Sequence, residues 1–202
     1  MVKTLVLGPL CANCHIVTDE NGVGFIVDPG ANAWKIFPEL EGLDIKYVIF
    51  THEHYDHIMA AAEVMEKTGA KLVASRFTAE NIHNRDKTLL CWFPGVKDNL
   101  PDVDIAVSDG DRLEAGSMTL EFIETPGHCP GGICIKCGDM LFTGDTLFYH
   151  CIGRTDFAGG DLETLLSSVR EKLFTIEGNV TVYPGHDRTT TLSEERENNP
   201  FF

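Results

Sequence analysis

Positive charge is scarce in this chain: 16 lysines and arginines stand against 31 aspartates and glutamates, a formal net charge of −15 over 202 residues. Such a balance repels phosphate backbones and anionic lipid surfaces at long range, so neither a nucleic-acid nor a membrane partner is expected. No run approaches the roughly 20 consecutive apolar residues of a membrane span. The opening Met1 to Leu10 lacks a full signal-peptide core and cleavage site, which points to the cytoplasm. No Ser/Gly-rich linker or low-complexity tract divides the sequence, and its length and 43% hydrophobic content suit one large domain over residues 1–202. The cysteines number seven, an odd count scattered along the chain, as suits unbridged thiols. Two CxxC pairs, Cys11/Cys14 and Cys134/Cys137, lie much further apart than the roughly 15–20 residues between the halves of a zinc ribbon. An offset of three in the strand-like run at Cys134 also sends Cys134 and Cys137 to opposite faces.

What is present is a succession of short apolar segments broken by turns. Strands are predicted over Val2 to Leu7, Val23 to Val27, Ile45 to Phe50, Lys71 to Ala74, Thr119 to Ile123, Gly132 to Lys136, Met140 to Phe142 and Val180 to Tyr183. Helices are predicted over Ala33 to Glu41, Asp56 to Thr68, Arg76 to His83 and Asp161 to Ile176, the last with Asp161 as N-cap and Gly178 as stop. Together these describe a mixed α/β domain with helices covering sheets.

The densest chemistry is the heptapeptide Thr51-His52-Glu53-His54-Tyr55-Asp56-His57, which follows an apolar run. Imidazoles and a carboxylate gathered at a strand end can bind divalent metal, whereas packing gives no reason to place such polar groups there. The thermolysin-type HExxH pattern is absent, because Asp56 stands where its second histidine would be. Two Pro-Gly turns, in Thr125-Pro126-Gly127-His128 and Tyr183-Pro184-Gly185-His186, each deliver an imidazole from a strand end with little backbone freedom. Met140 to Phe142, followed by Thr143-Gly144-Asp145, ends another strand with an acid. His52, His54, Asp56, His57, His128, Asp145 and His186 thus form a candidate ligand set. His15, His83 and His150 have no ligand partners in sequence and are read as structural.

Several positions near this set stay open. Asp28 is read either as a carboxylate fixing a histidine tautomer or as a simple turn former. Arg154 can clamp a substrate carboxylate or brace its loop by pairing with Asp156. Trp92 and Phe93, in the irregular stretch Asn84 to Asp102, are expected to pack onto the domain rather than to bind ligand.

The combination THEHYDH, TPGH, TGD and YPGH resembles the metallo-β-lactamase superfamily, and the resemblance runs from about Val2 to the C-terminus. It implies an αββα four-layer sandwich of two mixed β-sheets flanked by helices, with a dinuclear site. Gly153-Arg154-Thr155-Asp156-Phe157 after Gly144-Asp145-Thr146-Leu147-Phe148 resembles the glyoxalase II and persulfide dioxygenase branch. By that resemblance His52, His54 and His128 hold one ion, Asp56, His57 and His186 the other, and Asp145 bridges them. The implied cofactor is a pair of divalent ions, zinc first, with iron or manganese as alternatives. The implied reaction is hydrolysis of a small thioester, such as S-lactoylglutathione, by a bridging hydroxide that Asp56 also orients. Only sixteen residues follow His186, so the helical glutathione-binding domain of glyoxalase II is not expected. A mononuclear iron persulfide dioxygenase, or a hydrolase of another ester, a lactone or a β-lactam, remains the alternative. Oligomeric state is not readable.

Overall fold

Near-continuous apolar runs such as Phe25-Ile26-Val27 and Leu72-Val73-Ala74 suit strands covered on both faces, and they form the centre of the first of two sheets. The computed structural model describes residues 1–202. Strands β1 (Val2–Leu7), β2 (Ala12–Thr18), β3 (Val23–Val27), β4 (Asp44–Ile49), β5 (Lys71–Ser75) and β6 (Ile105–Val107) pair in that order. The β1–β2 and β2–β3 pairs are antiparallel, and β3 to β6 run parallel. Strands β7 (Arg112–Ala115), β8 (Met118–Glu124), β9 (Ile133–Cys137) and β10 (Met140–Gly144) begin the second sheet. A small hairpin follows, β11 (Leu147–Phe148) and β12 (Cys151–Ile152), before β13 (Thr181–Pro184) and β14 (Thr190–Thr191) complete the order β14-β13-β10-β9-β8-β7. In this sheet only β10 and β13 are parallel.

Helices α1 (Ala33–Ile36), α2 (Tyr55–Ile58), α3 (Ala61–Thr68), α4 (Arg76–Asn81), α5 (Leu162–Ser168) and α6 (Leu192–Asn198) complete the fold. The period-2 alternation of each strand sorts its side chains between two cores. Ile26, Val48 and Leu72 face Ile36 of α1 and Val64 of α3, whereas Phe25, Ile49 and Val73 meet Phe122, Ile135 and Phe142 between the sheets. Leu141 and Val182 face outward onto Leu165 and Leu192. The result is an αββα sandwich of two mixed sheets. Cys134 packs in the outer core and Cys137 in the inter-sheet core, on opposite faces of β9. All seven cysteines are free. No helix is long and apolar enough to cross a membrane.

Three predicted helices are interrupted. Ala33 to Glu41 becomes α1 followed by a 3₁₀ turn over Phe37–Leu40, because Pro38 has no amide hydrogen to continue an α-helix. The helix predicted from Asp56 splits between α2 and α3, where Ala60 gives its N–H to the Pro29 carbonyl at 2.9 Å. Asp161 does cap α5, accepting from Thr164 N at 2.8 Å, but the helix widens into a π turn over Val169–Leu173. Strand β2, absent from the sequence-based expectation, is almost wholly buried. Its polar Asn13 and His15 hide the strand pattern, and both are hydrogen-bonded to the Pro184 carbonyl, at 2.9 and 3.1 Å. This cross-sheet tie fixes the Pro184-Gly185-His186 turn.

Candidate metal centre

The candidate ligands occupy the C-terminal ends of strands from both sheets. Beyond β4 come His52, His54, Asp56 and His57; beyond β8 comes His128; Asp145 follows β10 and His186 follows β13. Close passage of these turns requires glycine at two points. A Cβ on Gly30 would lie 1.7 Å from the Asp56 carbonyl oxygen, and one on Gly185 would lie 2.4 Å from Asp145 Oδ1.

Two groups of donor atoms result, His52/His54/His128 and Asp56/His57/His186, each with its atoms within 4.8 Å of one another. Nε2 of His128 is 2.8 Å from Nδ1 of His54. Asp56 Oδ2 is 3.5 Å from His57 Nε2 and 3.4 Å from His186 Nε2. Asp145 stands between the groups, with Oδ1 3.5 Å from His57 Nε2 and Oδ2 3.6 Å from both His128 Nε2 and His186 Nε2. Most of these separations are too long for good hydrogen bonds. They approach the spacing of about 3.3 Å between neighbouring ligands of a tetrahedral ion with bonds of roughly 2.0–2.1 Å.

Three atoms sharpen this fit. His52 Nε2, His57 Nε2 and Asp145 Oδ1 are buried without any hydrogen-bond partner, a costly arrangement unless a cation completes it. The opposite edges of the rings are satisfied. His57 Nδ1 donates to Asp28 Oδ2 at 3.0 Å, and Thr51 donates to Asp28 through its amide at 2.8 Å and its hydroxyl at 2.5 Å. With its proton committed to Asp28, Thr51 Oγ1 accepts from His52 Nδ1 at 3.0 Å. His128 Nδ1 donates to the Arg154 carbonyl at 2.6 Å. These bonds place the Nδ1 protons outward and leave the Nε2 lone pairs facing the cavity, as metal-ligating histidines require. Asp28 also groups with His52 and His57 by distance, but its oxygens are engaged by Thr51 and His57. The residues therefore suit a pair of divalent ions.

Electrostatics separates the groups. Burial, then the neighbouring imidazoles, holds His52 well below the usual histidine range and His54 down to about 3. Both are neutral, the form that binds metal. For His57 burial works against the charge, yet Asp145, Asp28 and Asp56 together raise it above the usual histidine range, so its Nε2 proton must leave when a metal binds there. Burial likewise opposes ionisation of Asp56, but His186 and His57 keep its carboxyl well below the usual range.

The cluster is closed at His52 and His57 and opens toward His186, whose side chain is 26% exposed. Phe157 borders the other end, with its ring centroid 5.6 Å from that of His54 and 6.3 Å from that of His128. Trp92, 59% exposed, meets Phe157 edge-on at 5.3 Å, so the Asn84–Asp102 stretch reaches the rim of the site; Phe93 packs on Tyr55 at 4.6 Å. Arg154 and Asp156 pair with each other, at 2.7 and 2.6 Å, and the Arg154 guanidinium holds the Asp156 carboxyl down to about 2. Of the other histidines, His15 is buried, His83 pairs with Asp102 and His150 with Glu194. Sequence reasoning missed Thr51, whose part is visible only once Asp28 is beside it.

Comparison with known proteins agrees with this fold. Residues 7–186 match the model of the metallo-β-lactamase superfamily. The hydroxyacylglutathione hydrolase GloC of Haemophilus influenzae is 34% identical over 94% of this chain and 92% of its own. The crystal structure of the BLEG-1 B3 metallo-β-lactamase superposes with a TM-score of 0.92 at 29% identity, over 100% of this chain and 99% of that one. TTHA1623, solved in a di-iron-bound form, gives a TM-score of 0.83 at 29% identity and covers 100% of both chains. The chain belongs to the metallo-β-lactamase superfamily.

Proposed function

We propose that the protein is a metal-dependent hydrolase that cleaves a small thioester of the S-lactoylglutathione kind. In this reading His52, His54 and His128 hold one divalent ion, Asp56, His57 and His186 hold a second, and Asp145 lies between them. The observation that carries it is the buried, unpartnered trio His52 Nε2, His57 Nε2 and Asp145 Oδ1 at the meeting of the two donor groups. The 34% identity to a hydroxyacylglutathione hydrolase supports the thioester. Imidazole suits zinc and iron alike, and mixed nitrogen and oxygen donors admit manganese; zinc is proposed first.

Divalent ions held there supply Lewis acidity toward a carbonyl oxygen and lower the pKa of water from 15.7 toward roughly 7. The chain's own residues do the rest. Asp56, whose Oδ2 lies 3.5 Å from His57 Nε2 and 3.4 Å from His186 Nε2, orients the attacking water on the open side of the cluster. Asp28 and Thr51 hold the His57 and His52 rings in register. Phe157 keeps solvent from the His54 and His128 side. Water adds to the thioester carbonyl and the C–S bond breaks. The sulfur leaves as a thiolate with a conjugate pKa near 8.5, so a strong general acid is unnecessary. Residues 1–202 act as one catalytic unit.

A persulfide dioxygenase of this branch needs one iron on two histidines and an aspartate. The dinuclear hydrolase uses the whole donor set, with Asp56, His57 and His186 as a second group, whereas the dioxygenase shares these motifs and differs in holding a single iron. Metal content, thioester turnover and oxygen uptake on glutathione persulfide test the choice. Two divalent ions per chain with thioester hydrolysis are expected; one iron with oxygen consumption overturns the reading.

A further inference from the structure

We propose that Arg188 selects substrates whose thiol half carries an anion, either a carboxylate or a phosphate; this rests on the thioester reading above. A protein of charge −15 repels anionic small molecules unless a local cation receives them. Two guanidinium groups flank the cluster. Arg154 is neutralised by its two bonds to Asp156 and lies 4.1 Å over Phe157. Arg188, two residues beyond His186, is exposed and pairs with no carboxylate. Its guanidinium carbon stands 3.7 Å from the centre of the Tyr149 ring.

The surroundings hold that group in place. Tyr149 stacks on His150 at 4.0 Å and 17°, and His150 Nε2 bonds Glu194 at 2.7 Å. The backbone before Arg188 is anchored, since Asn13 Nδ2 donates to the Asp187 carbonyl at 2.8 Å. Stacking engages one face of the guanidinium and leaves its N–H edge free, the edge that matches carboxylate and phosphate oxygens bidentately. Arg188 lines a groove of about 440 Å³ with Tyr149, Thr189, Thr190, Thr191 and Glu194. Glu194, the acid of that groove, is engaged by His150. Phe148, preceding Tyr149, borders His186 at 6.0 Å, so the groove adjoins the open end of the cluster. In this proposal a substrate lying across the site turns its charged thiol arm toward Arg188.

The test uses three thioesters of one acyl group: on glutathione, which carries carboxylates; on 4′-phosphopantetheine, which carries a phosphate; and on neutral N-acetylcysteamine. They are assayed with the zinc-loaded wild type, Arg188→Gln, Arg188→Lys and the remote Arg112→Gln. Wild type should prefer one anionic thiol, which identifies the anion. Arg188→Gln should raise KM for it about tenfold or more with little change in kcat, the pattern of a lost charge-assisted contact outside the chemistry. Arg188→Lys should recover part of the preference, and Arg112→Gln should keep all of it. Calorimetric titration of S-methylglutathione and S-methyl-phosphopantetheine reads binding without turnover and should weaken in Arg188→Gln alone. Equal use of all three thioesters, or a preference that survives Arg188→Gln, overturns the role of Arg188 and leaves the hydrolase standing. Turnover of none overturns the hydrolase, and the titrations then decide Arg188 by themselves.

Discussion

Asp28 Oδ2 lies 3.0 Å from Nδ1 of His57, with both side chains essentially out of solvent, at 1% and 0% exposure. The same carboxylate receives the amide and hydroxyl of Thr51, and Thr51 accepts from His52. One buried acid thereby sets the orientation of a histidine in each donor group. Asp28 itself adopts φ of 51°, a conformation non-glycine residues seldom adopt, and the site hydrogen bonds account for its persistence.

Replacing that acid should be felt at the ions before it is felt anywhere else. Asp28→Asn is expected to weaken metal binding about 10–100-fold, the usual cost of losing the outer partner of a ligating histidine. Competition with a chelator measures it. Unchanged affinity at both ions would remove Asp28 from the account.

Asp145 lies within 3.6 Å of imidazole nitrogens from both groups. Asp145→Ala should lower the stoichiometry from two ions to one or fewer. It should also reduce kcat/KM on the order of a hundredfold or more, comparable to removing a main electrostatic partner of the transition state. Metal analysis beside circular dichroism separates this from unfolding.

His15 makes the stability of the fold depend on pH. Burial, only partly offset by its bond to the Pro184 carbonyl and by Asp28, lowers its pKa from 6.5 to about 4. The unfolded chain then binds more protons than the native one between those values, so stability falls as pH drops from about 6.5 to about 4. His15→Gln should flatten the dependence of urea unfolding on pH in that window by about one proton. An unchanged slope contradicts the expectation.

Glu53 sits between two ligands yet faces away from them. It is 1% exposed and accepts from Thr78 Oγ1 at 3.0 Å, and a Cβ on Gly131 would fall 2.1 Å from its Oε2. It therefore locks the heptapeptide against the loop that carries His128. Glu53→Ala should cost about 2–4 kcal/mol through the cavity and the unpaired hydroxyl, with Glu53→Gln closer to wild type. Urea unfolding of the metal-free proteins checks the order.

Much of the architecture could be read before the structure because it follows from local spacing. Apolar runs of strand length, Pro-Gly turns and the Asp161 cap are properties of neighbouring residues, and most predicted strands appear within a residue or two of expectation. Strand β2 was illegible because Asn13 and His15 bury polar side chains whose partner, the Pro184 carbonyl, lies about 170 residues away in sequence. The break between α2 and α3 likewise depends on Pro29, thirty-one residues upstream of Ala60.

The same division holds at the candidate site. The sequence by itself determined which donors exist and that each stands at a strand end, since residue type and turn chemistry are local. The family resemblance implied how those donors are grouped around Asp145, whereas only the tertiary structure decided how four strand ends from two sheets converge and that Arg154 is paired while Arg188 is free. Those outcomes rest on distances between segments far apart in the chain, which sheet pairing and the packing of one sheet on the other set, and no local pattern encodes them.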